Sequence, residues 1–215
     1  MRWQRGIVLA IISLFVLGGC GGSSSAGQVT LITIVGGAYG GNLTGITTGP
    51  DGTLWVTTVG AGVDPYPADS SPTPGILRVT PSGQVTAFAL PPNSPPYAIT
   101  SGPDGNLWFM VSDSSGNNEI GRITPEGQIT EYPVPTGGIP VDEITAGPDG
   151  NLWFSEAGPL GNTAPGKIGR ITPDGHFSEF ALPTGITVGA MTSGPENSLW
   201  FTSLETNEIW QIKCS

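Results

Sequence analysis

Charge is scarce in this chain, and positive charge is scarcest. Seven Lys and Arg stand against 17 Asp and Glu, a formal net charge of -10 at pH 7. So few cations cannot neutralise a phosphate backbone, which excludes nucleic acid as a partner, and they form no basic patch for anionic lipid. There is one histidine, His176, between Gly175 and Phe177 at the start of an outer strand. It reads as an exposed turn residue rather than a general base. There are two cysteines, Cys20 and Cys214. If the first is modified, the second has no intrachain partner and no disulfide stabilises the domain. The one long apolar run, residues 7–17, is too short to span a bilayer as a helix.

Glycine and proline are abundant instead, 34 and 21 of 215 residues. Such a share marks a disordered chain when it is aperiodic. Here hydrophobic residues make up 37%, with 6 Trp, 7 Phe and 4 Tyr, enough large side chains to build a core. The Gly and Pro must therefore be periodic turn punctuation in an all-β fold.

The first 19 residues read as a signal segment. Arg2 and Arg5 precede the apolar run, and Leu17-Gly18-Gly19-Cys20 resembles the bacterial lipobox, in which the cysteine is lipidated and becomes the new N-terminus. Residues 20–27 then form the lipidated Cys20 and a flexible tether, and residues 28–215 the folded domain. The expected location is the cell envelope, on a membrane through Cys20 and facing the periplasm or the exterior.

The domain repeats itself. Gly49-Pro50-Asp51-Gly52-Thr53-Leu54-Trp55-Val56 returns as Gly102-Pro103-Asp104-Gly105-Asn106-Leu107-Trp108-Phe109 and again from Gly147 to Phe154. A drifted fourth copy runs from Gly194 to Phe201, with Asn197 in place of the trailing Gly. A second motif, Ile120-Gly121-Arg122-Ile123-Thr124-Pro125-Glu126-Gly127, has counterparts centred on Arg78 and Arg170. Periods of this size mean propellers, solenoids or arrays. Each unit parses into four short strands, so the expectation is a β-propeller of four blades with four antiparallel strands each. The last unit runs out after three strands. Residues 28–34 look like the missing one, an N-terminal strand that completes the last blade and clasps the ring. The alternative is an open half that dimerises.

The motifs Ile-Thr-x-Gly-Pro-Asp-Gly-Asn-Leu-Trp-Phe and Ile-Gly-Arg-Ile-Thr-Pro-x-Gly together resemble the streptogramin B lyase (virginiamycin B lyase) family of propellers, over roughly residues 28–213. That family has seven blades, against four motif copies here. The resemblance implies a Mg²⁺-assisted β-elimination that opens a cyclic depsipeptide at an ester, with a histidine base on the inner strand two residues before the Ile of Ile-x-x-Gly-Pro. That slot holds Thr44, Tyr97, Asp142 and Gly189 here, so no catalytic histidine carries over.

The motif residues themselves read as structure. The four Trp pack between blades. Arg78, Arg122 and Arg170 pair with the turn aspartates Asp51, Asp104 and Asp149 or stack on Trp. Residues 113–119 hold oxygen side chains faintly like a calcium loop, but read as a polar hairpin loop. The candidate site is an acidic patch at the axial mouth. Tyr97, Asp142, Glu143 and Glu156 are its ligand-binding residues, with Asp142 and Glu143 as weak catalytic candidates. Strand alternation should send those two to opposite faces. The reading is a ligand- or protein-binding module, with a lyase as the alternative. Two experiments separate these ideas, incubation with a streptogramin B and sizing of the domain for a dimer.

Overall fold

The repeated turns dictate the strands between them. Within Gly-Pro-Asp-Gly the chain reverses because Gly52 (φ 75°), Gly105 (φ 76°) and Gly150 (φ 77°) take the left-handed conformation. The aspartate locks each reversal by accepting the backbone N–H two residues on: Thr53 to Asp51 at 3.1 Å, Asn106 to Asp104 at 3.2 Å, Asn151 to Asp149 at 3.3 Å. In the drifted copy Asn197 adopts φ 52°, as a left-handed residue other than glycine should.

The computed structural model describes residues 5–15, 29–35, 42–59, 73–92, 94–112, 118–135, 139–157 and 165–214. Cys20 with the tether 20–27, the loops 60–72 and 158–164, and residues 113–117 of the calcium-like loop lie outside them. The described residues contain strands and no helix. They run β1 (Arg5–Phe15), β2 (Val29–Val35), β3 (Leu43–Thr48), β4 (Leu54–Thr58), β5 (Gly75–Val79) and β6 (Val85–Ala89). Next come β7 (Pro96–Ser101), β8 (Leu107–Ser112), β9 (Asn118–Ile123) and β10 (Ile129–Pro133). They are followed by β11 (Ile139–Ala146), β12 (Leu152–Ala157), β13 (Lys167–Ile171) and β14 (Phe177–Ala181), then β15 (Val188–Gly194), β16 (Ser198–Ser203) and β17 (Ile209–Lys213).

Four antiparallel meanders result: β3–β6, β7–β10, β11–β14 and the three-stranded β15–β17, blades 1 to 4. Their inner strands stand side by side in chain order, β3 beside β7, β7 beside β11, β11 beside β15. No comparable contact joins β15 to β3, so the described blades form an open arc.

The expected clasp is not what forms. Val29–Val35 pairs with β1, and β1 pairs with β6, which extends blade 1 to six strands. Two physical reasons favour this. The run from Arg5 to Phe15 is rich in Ile, Val and Leu and makes a good strand, and it lies close to β2 in sequence. Reaching β17 would require closing the ring over the whole chain, at a higher loop-closure cost.

Blades pack by one rule used three times. The Trp of one blade enters a pocket made by the next. Trp55, Ile76 and Phe88 meet Ile99, Leu107 and Phe109. Trp108, Met110 and Ile120 meet Ile144, Leu152 and Phe154. Trp153 and Ile168 meet Met191, Leu199 and Phe201. Each Trp of a complete blade stacks on an outer-strand ring, Phe88 at 5.6 Å, Tyr132 at 5.7 Å and Phe180 at 5.5 Å between centroids. The first glycine of each Gly-Pro has a packing role rather than a turn role. A Cβ there would come within 2.2–2.4 Å of the indole of the same repeat.

A second exchange of volume runs across β8–β9 and β12–β13. Phe109 faces Gly121 and Phe154 faces Gly169, while blade 1 pairs Val56 with Leu77. A Cβ on Gly121 or Gly169 would sit 2.2 or 2.1 Å from the opposing Phe ring. Glycine in the Ile-Gly-Arg motif is therefore the cavity that accepts phenylalanine.

Candidate functional site

The arginines tie the arc together, as expected and with one addition. Arg78 Nη2 lies 2.5 Å from Asp51 Oδ2, and Arg170 Nη1 lies 3.6 Å from Asp149 Oδ2. Arg122 stacks over Trp108 at 5.6 Å and Tyr132 at 5.7 Å. The addition is a bond to the next blade. Arg78 donates to the Pro125 carbonyl at 3.2 Å, and Arg122 to the Pro173 carbonyl at 2.9 Å. The Thr-Pro-x-Gly turn of one blade thus caps the arginine of the blade before it. Sequence reasoning missed this because the two partners lie about 50 residues apart, in successive copies of one motif.

The turn aspartates hold their charge through these contacts. Burial acts to raise Asp149, but hydrogen bonds from Trp153 Nε1 (3.0 Å) and Asn151 outweigh it and hold the pKa below the ordinary range. Asp51 is lowered the same way: burial opposes, and Thr53 with Arg78 prevails. A different balance holds on the outer strands. In blade 3 Lys167 Nζ sits 2.9 Å from Glu179. The same two positions of blade 2 hold Glu119 and Glu131, so burial and then the Glu119 charge push Glu131 up.

His176 is exposed with Nε2 3.4 Å from Asp174, a turn residue as expected. Cys214 is buried against blade 3, with burial raising its thiol pKa first and the Asp149 charge adding to this.

The axial slots share a feature invisible in the sequence. Every inner strand carries a β-bulge at the same place: between Leu43 and Gly45, Pro96 and Ile99, Val141 and Ile144, and Val188 and Met191. Thr44, Tyr97, Asp142 and Gly189 are therefore bulge residues, as are Ala98, Glu143 and Ala190. Bulges interrupt simple alternation and re-aim side chains, and they gather next to functional sites. The expectation that Asp142 and Glu143 face opposite ways assumed an unbroken strand, and the register shifts between Val141 and Ile144, where these two residues lie.

Glu143 is half-buried at its bulge, and Tyr97 is half-buried on the neighbouring inner strand. The Asp142 side chain lies outside the described residues. Glu156 is 2% exposed on β12, opposite Pro140 in register, so it is part of the blade interior and not of a solvated rim. The structure thus brings Tyr97 and Glu143 to adjacent bulges and places Glu156 inside blade 3.

Two further residues belong to this region. Thr57 Oγ1 donates to the Tyr97 carbonyl at 2.5 Å and lies 2.9 Å from Thr44 Oγ1, which donates to the Pro96 carbonyl at 3.0 Å. These hydroxyls fix the blade 2 bulge from blade 1. Among the described residues no three His, Cys, Asp or Glu side chains gather to hold a metal.

Repeated four-stranded meanders with inner strands in a row, Trp-filled seams and bulged axial ends define a propeller-type blade array. Residues 71–215, about two thirds of the chain, match the Virginiamycin B lyase family, and the chain belongs to that family. Among solved structures it is similar to one described as a streptogramin B lyase, at 32% identity and TM-score 0.66, covering 87% of this chain and 59% of that one. It is also similar to virginiamycin B lyase from Staphylococcus aureus, at 34% identity and TM-score 0.65, covering 87% and 60%. A protein of unknown function from Bacteroides caccae shares the fold at 15% identity and TM-score 0.54, over 87% and 65%. The chain spans about three fifths of the length of the two lyases. No curated protein matches it.

Proposed function

We propose that this chain is a ligand- or protein-binding member of the lyase family, held at the bacterial cell envelope by lipid on Cys20. The observation that carries the reading is the content of the axial bulges. Thr44, Tyr97, Asp142 and Gly189 occupy them, and none brings the imidazole that the family resemblance assigns to that slot. What remains is a polar surface of hydroxyls and carboxylates, suited to a polar or cationic ligand. The Arg, Trp and Asp side chains of the repeated motifs are engaged in blade packing, so the likeness that those motifs carry is one of fold. The lipobox and the tether at residues 20–27 support the anchoring, and cleavage before Cys20 removes β1, so on this reading the β1–β2 and β1–β6 pairings belong to the precursor chain.

A second reading rests on Glu143. A half-buried carboxylate at an axial bulge is a possible base for β-elimination, and the family membership supplies the reaction class. Incubation with a streptogramin B and Mg²⁺, followed by mass spectrometry, separates the two. The binding reading expects the cyclic compound to persist. A linear product that disappears in Glu143→Gln would establish the lyase instead. The anchor is tested by palmitate labelling of cells, with incorporation expected for the parent chain and lost in Cys20→Ser.

A further inference from the structure

The face of blade 2 that meets blade 1 carries two carboxylates where blade 3 carries an ion pair. Glu119 stands opposite Val111 in register, and Glu131 stands opposite Gly121, itself opposite Phe109. Residues opposite one another share a face of the sheet. Val111 and Phe109 belong to the core between blades 1 and 2, so both glutamates face blade 1. In blade 3 the same two positions hold Lys167 and Glu179, 2.9 Å apart. Glu131 Oε1 is buried with no hydrogen-bond partner among the described residues. The strands packed on this face, β3–β6, carry one charged residue, Arg78, which is engaged by Asp51 and the Pro125 carbonyl. At the outer edge of blade 1, β1 adds Arg5, opposite Phe88 in register. β7 and β8 add the Tyr97 phenol and no charge. Arg122 and Tyr132 lie on the other face, against Pro173 and Gly175 of blade 3.

The same seam has a second weak point. Trp108 and Trp153 each donate the indole N–H to the turn aspartate of their own repeat, Asp104 and Asp149, at 3.0 Å. In blade 1, Thr53 stands where those repeats have Asn106 and Asn151. The asparagines donate to Oδ2 and leave Oδ1 to the indole, whereas the Thr53 hydroxyl donates to Asp51 Oδ1 at 2.6 Å. Trp55 is fully buried and its Nε1 has no acceptor among the described residues. An unmet buried donor weakens the seam it lies in. At the axial end of this seam, Thr57 and Thr44 donate across it to the Tyr97 and Pro96 carbonyls, so the contact that holds the blades also holds the Tyr97 bulge.

We propose that the joint between blades 1 and 2 is a pH-responsive hinge that controls the order of the Tyr97 bulge at the axial mouth. In acid, Glu131 is neutral and lies against blade 1 at no electrostatic cost. As pH rises above the ordinary glutamate range it ionises beside Glu119, and parting the blades relieves both the repulsion and the loss of hydration. A carboxyl raised on folding contributes stability below its unfolded value and loses it as pH rises through the folded one, so the hinge is tight in acid and loosens toward neutral pH. Asp51 on the same seam has the opposite sign, and its depressed pKa acts below that window. Opening releases the Tyr97 carbonyl from Thr57. The bearing on a ligand at Tyr97 rests on the binding reading above, while the hinge itself does not.

Hydrogen exchange read by mass spectrometry on the full chain at pH 5 and pH 8, corrected for the intrinsic rate, tests this without a ligand. Peptides of β4–β6 and of the Tyr97 bulge should show an opening constant at least about threefold larger at pH 8, with β12–β14 of blade 3 level. Glu131→Gln should remove the rise. Glu119→Lys, which supplies the Lys167 arrangement, should remove it too. Thr53→Asn should return Asp51 Oδ1 to the indole and protect β4–β6 at both pH values, with the rise intact. Level exchange of β4–β6 between the two pH values overturns the proposal. An equal rise in β12–β14 overturns it in favour of global loosening, and a rise that persists in Glu131→Gln overturns it outright. Failure of the binding reading would leave all of these exchange results unchanged.

Discussion

Replacing Arg122 with Met tests the arginine seam with little change in packed volume. The Met stem keeps most of the aliphatic contact, so what is lost is the guanidinium. Two ring contacts go, over Trp108 at 5.6 Å and Tyr132 at 5.7 Å, each worth about 0.5–1 kcal/mol at a partly exposed site. The 2.9 Å bond to the Pro173 carbonyl goes with them, at about 1.5 kcal/mol for a charged donor. The sum is a loss of roughly 2.5–3.5 kcal/mol, minus whatever Met regains by packing on the indole, so about 2–3 kcal/mol. For a chain of this size each kcal/mol lowers the melting temperature by about 2–4 °C, which puts the shift near 4–12 °C. Circular dichroism melts with parallel urea titrations measure it. Arg122→Lys keeps the charge without the planar fork, so its loss should fall between parent and Met. A Met variant melting within about 1 °C of the parent would refute the seam as a source of stability.

Other outcomes follow from the same packing. Phe154→Val and Gly169→Leu should each destabilise by about 2 kcal/mol or more, one by a cavity and one by overpacking. The double variant recreates the Val56–Leu77 pair of blade 1 and should recover at least about 1 kcal/mol in a double-mutant cycle of urea unfolding. Glu119→Lys rebuilds in blade 2 the pair seen at Lys167 and Glu179, and should stabilise by up to about 1 kcal/mol at neutral pH. The raised pKa of Glu131 means that the parent loses stability as pH rises through that value, and the Lys variant should lose that slope in melts across pH 4–7. Asp149 has the opposite sign. Its depressed pKa contributes stability above the unfolded carboxylate value, lost as pH falls through the folded one, so Asp149→Asn should flatten the acid limb of the same melts.

Local chemistry made most of the strands legible. Turn glycines, Asx-type aspartates and the Leu-Trp-Phe spacing act within a few residues, so the four meanders and the left-handed Asn197 could be read directly. The arginines were legible for the same reason, because Trp, Arg and Asp recur in step. The candidate site was legible only in part. Tyr97 and Glu143 do reach adjacent inner strands, but Glu156 looked like a rim residue and is interior. An Asp or Glu in a strand carries no sign of which neighbour will cover it.

The residues by themselves determined the blade: where each strand starts, which side chains fill a seam, and which turn caps it. Only the tertiary structure decided how the blades end. The bulges at the axial slots lie on inner strands that stand side by side, and no residue type announces them. The partner of Val29–Val35 and the open ends at Ile46 and Ile209 depend on which edges meet in space. Repeats specify the contact between one blade and the next, and that nearest-neighbour rule is silent on what lies beyond the first and the last.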